Sequence, residues 1–149
     1  MPHAITIRRA RPGDLARILE IERASFGCDA YDRNLFAEYT RTCGDLFLVA
    51  ARGSRVCGYL IACLWNGAAE LVSIAVDPAA RRHRAATVLL DGILRRLRRR
   101  GGTRLTLMVR ETNEPALNFY RKNGFRRIRR VEGYYEDGAP GIRMRKELK

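Results

Sequence analysis

The chain has 149 residues, of which 46% are hydrophobic and 30% are charged, a composition typical of one globular domain with a buried core. It contains no apolar run of about 18 residues, which excludes a membrane-spanning helix. Its first residues alternate between apolar and polar and do not form the apolar core of a signal peptide. We therefore expect a single domain over residues 1–149 in the cytoplasm, without a membrane partner.

A strongly basic composition is the second general feature, because the formal net charge is +13. This charge predicts an anionic partner, which could be a phosphorylated cofactor, an acidic protein or RNA. The densest basic run covers residues 95–100 at the end of a predicted helix, where cations complement the helix dipole. The pattern favours a solvated helix end, with RNA contact through the basic surface as the alternative.

The first half of the chain is predicted to place two helices between a strand and a hairpin. Its elements are a strand over residues 4–9, helices over 11–24 and 32–42, and strands over 46–51 and 56–64. In the first helix, the apolar residues Leu15, Ile18, Leu19 and Ile21 form the expected buried face. Gly53 lies in the turn between the last two strands, which predicts a β-hairpin.

The second half is predicted to contain a strand-to-helix crossover. A strand over residues 69–76 ends at Asp77-Pro78, and the following helix carries apolar residues at helical spacing from Val88 to Leu97. A strand over 104–109, a short helix from Glu114 to near residue 124 and strands over 125–132 and 142–148 complete the chain. Hairpins followed by a crossover predict an α/β (or α+β) fold, with a mixed sheet and helices on both faces.

The cysteines show no pattern of a metal or redox site. Cys28, Cys43, Cys57 and Cys63 have neither C-x-x-C spacing nor a histidine partner at metal spacing. We expect buried free thiols and no bound metal.

Three stretches of the second half together carry a family resemblance. The residues Ile74-Ala75-Val76-Asp77-Pro78 lead through the basic turn Arg81-Arg82-His83-Arg84-Ala85-Ala86 into a helix, and Val109-Arg110, Asn113 and residues 116–125 follow. This pattern resembles the GNAT superfamily of acyl-CoA-dependent N-acetyltransferases, and most of all its ribosomal-protein alanine N-acetyltransferase (RimI-like) branch. The resemblance implies a mixed, mostly antiparallel twisted sheet. It also implies direct transfer from acetyl-CoA to an amine in a ternary complex.

The basic turn precedes a helix N-terminus, where unpaired N–H groups and the helix dipole can hold a pyrophosphate. In the family pattern Q/R-x-x-G-x-G/A, Arg81 matches the first position and Ala86 the last, but Arg84 replaces the first glycine. A positive φ at Arg84 would cost about 1 kcal/mol or more. The resemblance implies cofactor contacts from Ile74, Ala75, Val76, Arg82, His83, Arg84, Ala85, Ala86, Thr87 and Asn113.

Two of these assignments concern backbone or capping groups. The backbone of residues 74–76 would bind the pantetheine arm as an added strand, and an N–H near Val76 would stabilise the oxyanion. Asn113 precedes Glu114-Pro115, so a helix cap or turn residue is an equally good interpretation of it.

Acetyl transfer also needs a proton donor for the leaving thiolate and an acceptor for the amine proton. Tyr120 matches the family's acid, although a tyrosine on a short apolar helix can also be a core residue. RimI-like enzymes carry a glutamate before the Val-Arg pair, where this chain has Met108. The replacement base is predicted to be Glu70, at the position of the basic glutamate in the histone-acetylating branch. Glu111 and Glu136 are the other candidates.

The acceptor amine is predicted from the same resemblance. Tyr134-Tyr135 resembles the tyrosine pair that lines the peptide groove of RimI-like enzymes, which favours a protein or peptide N-terminus, with a ribosomal protein as one candidate. A small amine is the alternative substrate. A non-catalytic acyl-CoA-binding or RNA- or ribosome-binding module on the same fold is the alternative function.

Overall fold

The computed structural model describes residues 4–27, 30 and 32–148, and its helices and strands follow the predicted order. The strands are β1 (Ile5–Arg9), β2 (Phe47–Arg52), β3 (Arg55–Trp65), β4 (Ala68–Val76), β5 (Arg104–Arg110), β6 (Arg126–Val131) and β7 (Gly141–Glu147). The helices are α1 (Leu15–Phe26), α2 (Arg33–Thr42), α3 (Ala85–Arg99) and α4 (Glu114–Lys122).

All the described strands join one sheet, in the order β1-β2-β3-β4-β5-β7-β6. The only parallel neighbours among them are β4 and β5, which the crossover through α3 connects, since parallel strands need a long connection. The predicted mixed, mostly antiparallel sheet is confirmed.

Helices cover both faces of the sheet, as the sequence predicts. On one face, the ring of Phe36 in α2 packs against Phe47 and Tyr59, at centroid distances of 6.1 and 5.6 Å. On the other face, α3 lies so close to β3 that a Cβ at Gly58 would meet Leu89 Cδ1 at 3.3 Å. Because neighbouring residues of a strand point to opposite faces, Gly58 faces α3 and Tyr59 faces α2.

The basic run lies at the exposed end of α3, as predicted. Arg98 Nε donates to the carbonyl of Leu148 at 3.2 Å, and Arg100 Nη1 pairs with Asp45 Oδ1 at 2.8 Å. Part of this charge therefore fixes the end of the helix to its neighbours. None of the described helices, α3 included, is long and apolar enough to cross a membrane.

One edge of the sheet is the strand β6, which carries four arginines in six residues. Arg126, Arg127, Arg129 and Arg130 are all exposed. Arg130 pairs with Glu111 Oε2 at 2.7 Å and also with Glu132. The edge strand is thus polar and positively charged.

Candidate active site

A cleft opens inside the sheet where β4 and β5 separate. Their pairing joins residues 68–70 of β4 only to residues 104–106 of β5. Beyond this point, a cleft of about 490 Å³ is lined by residues 70–74 of β4 and 108–110 of β5. Asn113, Ala116 and Tyr120 of the α4 region form one side, and Glu22, Phe26 and Tyr39 of α1 and α2 form the other.

The cleft brings together several of the predicted site residues. Tyr120, Glu70, Ile74 and Asn113 all line it. The other predicted cofactor contacts lie at the end of β4 and the start of α3, outside this lining in the described part of the chain. The side chains of Arg82 and His83 lie outside what the structure describes, and only the backbone there is defined.

A β-bulge in β4 decides which side chains face α1 and α2. Ile61 of β3 pairs with Ser73, but the next residue, Ala62, pairs with Leu71, so Val72 is the extra residue. Without a bulge, residues 70 and 73 would point to opposite faces. With it, Ser73 and Glu70 both face α1 and α2.

Contacts on that face agree with the bulge. Ser73 Oγ lies 3.4 Å from Glu22 Oε1 of α1. Cys63, which pairs with Glu70 across the strands, touches Cys43 at the end of α2 with the two Sγ atoms 2.8 Å apart. Glu70 itself is exposed to the cleft.

Tyr120 is held in an aromatic group at the opposite side of the cleft. Its ring centroid lies 5.5 Å from both Phe119 and Phe125, and the residue is only 7% exposed. Burial, with a smaller contribution from Tyr135, raises the pKa of the phenol above its usual value. Tyr120 is therefore a protonated hydroxyl at neutral pH, which is the state a proton donor needs.

Asn113 fixes the start of the helix that carries Tyr120. Its side chain accepts a hydrogen bond from the N–H of Ala116 at 3.2 Å, and Pro115 occupies the first turn. The cap interpretation is confirmed by this contact. Because Asn113 also lines the cleft, the cofactor role stays compatible with it.

The turn before α3 has the backbone conformation that the missing glycine would adopt. Pro78–His83 forms a 3₁₀ helix, and Arg84 follows with φ 62° and ψ 24° in the left-handed region. A non-glycine residue there costs about 1–2 kcal/mol. Arg84 is exposed and forms the N-cap position of α3, with Ala85 buried behind it. The fold thus keeps the turn despite the substitution.

Asp77 anchors this turn to α1. Its carboxylate accepts a hydrogen bond from the N–H of Ala79 at 3.0 Å and forms an ion pair with Arg17. The hydrogen bond from Ala79 lowers the pKa of Asp77 most, and the ion pair with Arg17 lowers it further. Arg17 also donates to the carbonyl of Val56 at 3.0 Å. Sequence patterns gave no sign of Arg17, because its partners are far away along the chain.

Glu22 lines the cleft and was not predicted from the sequence. It is 1% exposed, and its carboxylate accepts a hydrogen bond from the hydroxyl of Tyr59, which in turn lies 3.0 Å from Ser73 Oγ. A signal did exist, because residue 22 follows Leu15 by seven positions and Ile18 by four. That spacing places it on the buried face of α1.

The loop between β6 and β7 borders the cleft. Tyr134 and Tyr135 both line the cleft, and their ring centroids are 4.9 Å apart. Arg110 of β5 fixes the loop, because its guanidinium lies 4.2 Å from the Tyr135 ring centroid and its Nη1 lies 3.1 Å from Asp137 Oδ2.

The remaining acidic candidates lie elsewhere in the described structure. Glu111 pairs with Arg130, and neither Glu111 nor Glu136 lines the cleft. Met108 does line it, and its methyl group lies 2.8 Å from the position that a Cβ at Gly141 would take. A thioether thus occupies this wall, and it accepts no proton at neutral pH.

Comparison with known proteins decides the family of the chain. The family model described as Acetyltransferase (GNAT) family matches residues 15–125. The chain belongs to the GNAT family.

Individual relatives agree with the GNAT assignment. An N-alpha-acetyltransferase of Saccharolobus solfataricus is 30% identical, with 96% of this chain and 93% of that protein aligned. The crystal structure of Ard1 from Thermoplasma volcanium is 26% identical, with a TM-score of 0.94 over 98% of this chain and 99% of its own. The Escherichia coli ribosomal-protein-S18-alanine N-acetyltransferase is 26% identical, with a TM-score of 0.84 over 97% and 94%. The predicted resemblance to the RimI-like branch is thus confirmed.

The local geometry fits the cosubstrate that the GNAT family uses, acetyl-CoA. The separated part of β4 offers an extended backbone next to the cleft, on which an elongated ligand can pair like an added strand. The N-terminus of α3 follows directly, and its N–H groups and dipole suit a pyrophosphate. As a GNAT enzyme, the chain is an N-acetyltransferase.

Replacing Arg84 by glycine should stabilise the protein. Glycine adopts the observed φ without steric cost, so the free energy of unfolding should rise by about 1 kcal/mol and the Tm by about 2–4 °C. Thermal unfolding followed by circular dichroism would measure the shift. Arg84→Ala is the matched control, because it removes the same charge but keeps a Cβ. A similar rise in Arg84→Ala would attribute the effect to charge and contradict the backbone argument.

Replacing Glu22 by alanine should destabilise the fold, because the hydroxyls of Tyr59 and Ser73 lose a buried carboxylate partner. The expected loss is about 2–3 kcal/mol in the free energy of unfolding, measured in urea. Glu20→Ala is the control on the same helix, because the Glu20 side chain is 65% exposed. That variant should lose less than about 0.5 kcal/mol. Equal losses in both variants would show that the buried hydrogen bonds of Glu22 do not add to the free energy of unfolding.

Proposed function

We propose that this enzyme transfers the acetyl group of acetyl-CoA directly to the N-terminal α-amine of a protein or peptide. The observation that carries the proposal is the cleft between β4 and β5, which has a buried, protonated tyrosine on one side and an exposed glutamate on the other. Its acceptor side is bordered by the Tyr134-Tyr135 loop, a position suited to an extended peptide end. The Saccharolobus solfataricus relative is named an N-alpha-acetyltransferase and the Escherichia coli one a ribosomal-protein-S18-alanine N-acetyltransferase, which supports the same acceptor class.

On the cofactor side, the chain contributes mainly backbone groups. The backbone of Ile74, Ala75 and Val76 would hold the pantetheine arm, and a β4 N–H would stabilise the negative charge that develops on the carbonyl oxygen. The pyrophosphate would lie at the N-terminus of α3, against residues 82–87, where arginines add positive charge. Asn113 would contact the cofactor while it caps α4.

Tyr120 would act as the acid. The leaving thiolate must gain a proton as the bond to the acetyl group breaks, and a positioned hydroxyl can supply it. The aromatic rings of Phe119 and Phe125 fix the orientation of Tyr120, and burial raises its pKa, so the hydroxyl is protonated before transfer.

Glu70 would accept the proton of the attacking amine, since the amine must be neutral to attack. The bulge at Val72 puts Glu70 on the same face as Ser73, and Met108 in the cleft lining offers no proton acceptor. Glu111 is the weaker candidate because Arg130 binds it outside the cleft lining.

A ribosomal protein is one acceptor within this class. The similarity to the Escherichia coli enzyme supports it, and the exposed arginines near the end of α3 would favour an acceptor that is bound to RNA. RNA contact itself stays a prediction from charge alone.

Acetyl-CoA should bind the purified chain and stabilise it. At a concentration of about 100 times Kd, binding contributes about 2.7 kcal/mol and should raise the Tm by several degrees. Titration calorimetry and thermal unfolding would both detect it. Pantetheine, which lacks the pyrophosphate, is the control ligand and should bind much more weakly. Absence of both heat and a Tm shift with acetyl-CoA would contradict the proposed function at its first step.

Tyr120→Phe and Glu70→Gln should each lower kcat for an accepted peptide by about 10²-fold or more, with little change in acetyl-CoA affinity. Glu111→Gln and Glu136→Gln are the matched controls and should leave kcat unchanged. A large loss of kcat in either control variant would identify that residue, and not Glu70, as the base. Acetylation of small amines but of no peptide would replace the acceptor class.

The pH profile gives a separate check on the acid. The pKa of Tyr120 is raised, so its proton stays bound as the pH rises toward about 10, the ordinary pKa of tyrosine. The kcat of the wild-type enzyme should therefore not fall between neutral pH and that value. A decline that disappears in Tyr120→Phe would show that the phenol titrates earlier than its burial allows.

A further inference from the structure

Two cysteines that lie far apart in the sequence meet beside the acceptor side of the cleft. Cys43 follows the last turn of α2 and is 7% exposed, and Cys63 lies on β3, where it lines the cleft. Their Sγ atoms are 2.8 Å apart, although the two residues are 20 positions apart along the chain. The contact involves neither C-x-x-C spacing nor a metal ligand set within the described residues.

The contact changes the chemistry of both thiols. The hydrogen bond between the two thiols lowers the pKa of Cys43 and raises the pKa of Cys63. Cys43 is therefore the thiol of the pair that loses its proton more readily. Thiolates, unlike thiols, are strong nucleophiles toward oxidants.

Cys57 provides an internal comparison. Its thiol is buried, donates to the carbonyl of Ala50 at 3.4 Å and has a pKa that burial raises. The pair at Cys43 and Cys63 differs from this third described cysteine because each of its sulfurs lies against the other sulfur, whereas the Cys57 thiol lies against a backbone carbonyl.

We propose that Cys43 and Cys63 form a reactive dithiol, which hydrogen peroxide converts to an internal disulfide at the wall of the cleft. In the first step, a thiolate attacks one peroxide oxygen and becomes a sulfenic acid, and the displaced hydroxide takes a proton to form water. In the second step, the other thiol attacks the sulfenic sulfur, the S–S bond forms and a second water leaves. Two electrons pass from the two sulfurs to the peroxide. An excess of a small dithiol reverses the change by thiol–disulfide exchange.

The bond would tie the end of α2 to β3 at the residue opposite Glu70. Tyr39 of α2 lines the same side of the cleft, so the link would join two parts of the acceptor wall. The dithiol is a chemical property of the fold and does not depend on the proposed acetyl acceptor.

The test uses the full chain, fully reduced and then exposed to a small excess of hydrogen peroxide. The count of free thiols should fall by two without formation of a covalent dimer. Peptide mapping under non-reducing conditions should find the Cys43 peptide linked to the Cys63 peptide. Dithiothreitol should restore both thiols.

Serine variants separate this pair from the other cysteines. Cys57→Ser should form the link as the wild type does, whereas Cys43→Ser and Cys63→Ser should each abolish it. In those two variants the remaining cysteine should oxidise further to sulfinic acid. If either variant fails to fold, the wild-type peptide map alone decides. A link that involves Cys28 or Cys57, or oxidation of Cys43 and Cys63 without a link, would overturn the proposal.

Discussion

The early separation of β4 from β5 is the constraint on which the rest of the site depends. The two strands are parallel because α3 carries the chain across the sheet between them, and they share hydrogen bonds only near the start of both strands. Beyond that point the sheet divides into two antiparallel parts. One consists of β1, β2, β3 and β4, and the other of β5, β7 and β6. A sheet that was paired throughout would bury the β4 backbone in its own ladder. The gap is therefore what makes backbone groups accessible in the centre of the domain.

Helix α1 supports the β4 side of this gap at two points. Arg17 binds Asp77 in the turn that precedes α3, and Glu22, on a different face of the same helix, binds the hydroxyl of Tyr59 beside Ser73. One helix thus supports both the turn proposed to hold the pyrophosphate and the part of β4 that lines the cleft. Its packing against β3 and β4 is a requirement of the site as well as of the core.

The sequence predicted the fold well because each element carries a local signal. The apolar spacing of α3, the Asp77-Pro78 turn and the cap at Asn113 all depend on residues that are close along the chain. The bulge at Val72 could not be predicted in the same way, because it is a property of the register between β3 and β4. The expected buried free thiols are confirmed for Cys43 and Cys57, whereas Cys63 is only partly buried. The contact of Cys63 with Cys43 depends on the three-dimensional arrangement too, so the cysteine spacing did not predict it.

Arg84 shows how a sequence departure can leave a structure intact. The pattern alone left open whether the backbone at this position would follow the missing glycine. The left-handed conformation indicates that the surrounding turn, with Asp77 and Arg17 behind it, determines the backbone more strongly than the preference of the residue does.

The arginine-rich edge strand β6 has a consequence for how the molecules behave together. An open sheet edge can pair with the edge of another molecule and extend into aggregates. Two copies that approached through β6 would bring eight guanidinium groups close together, twice the four arginines of one strand. The repulsion acts over about 10 Å at moderate ionic strength and shortens as salt is added. The arginines that make the protein basic thus also oppose pairing of two molecules through β6. Concentrated salt weakens this repulsion, so such pairing is favoured most at high salt and high protein concentration.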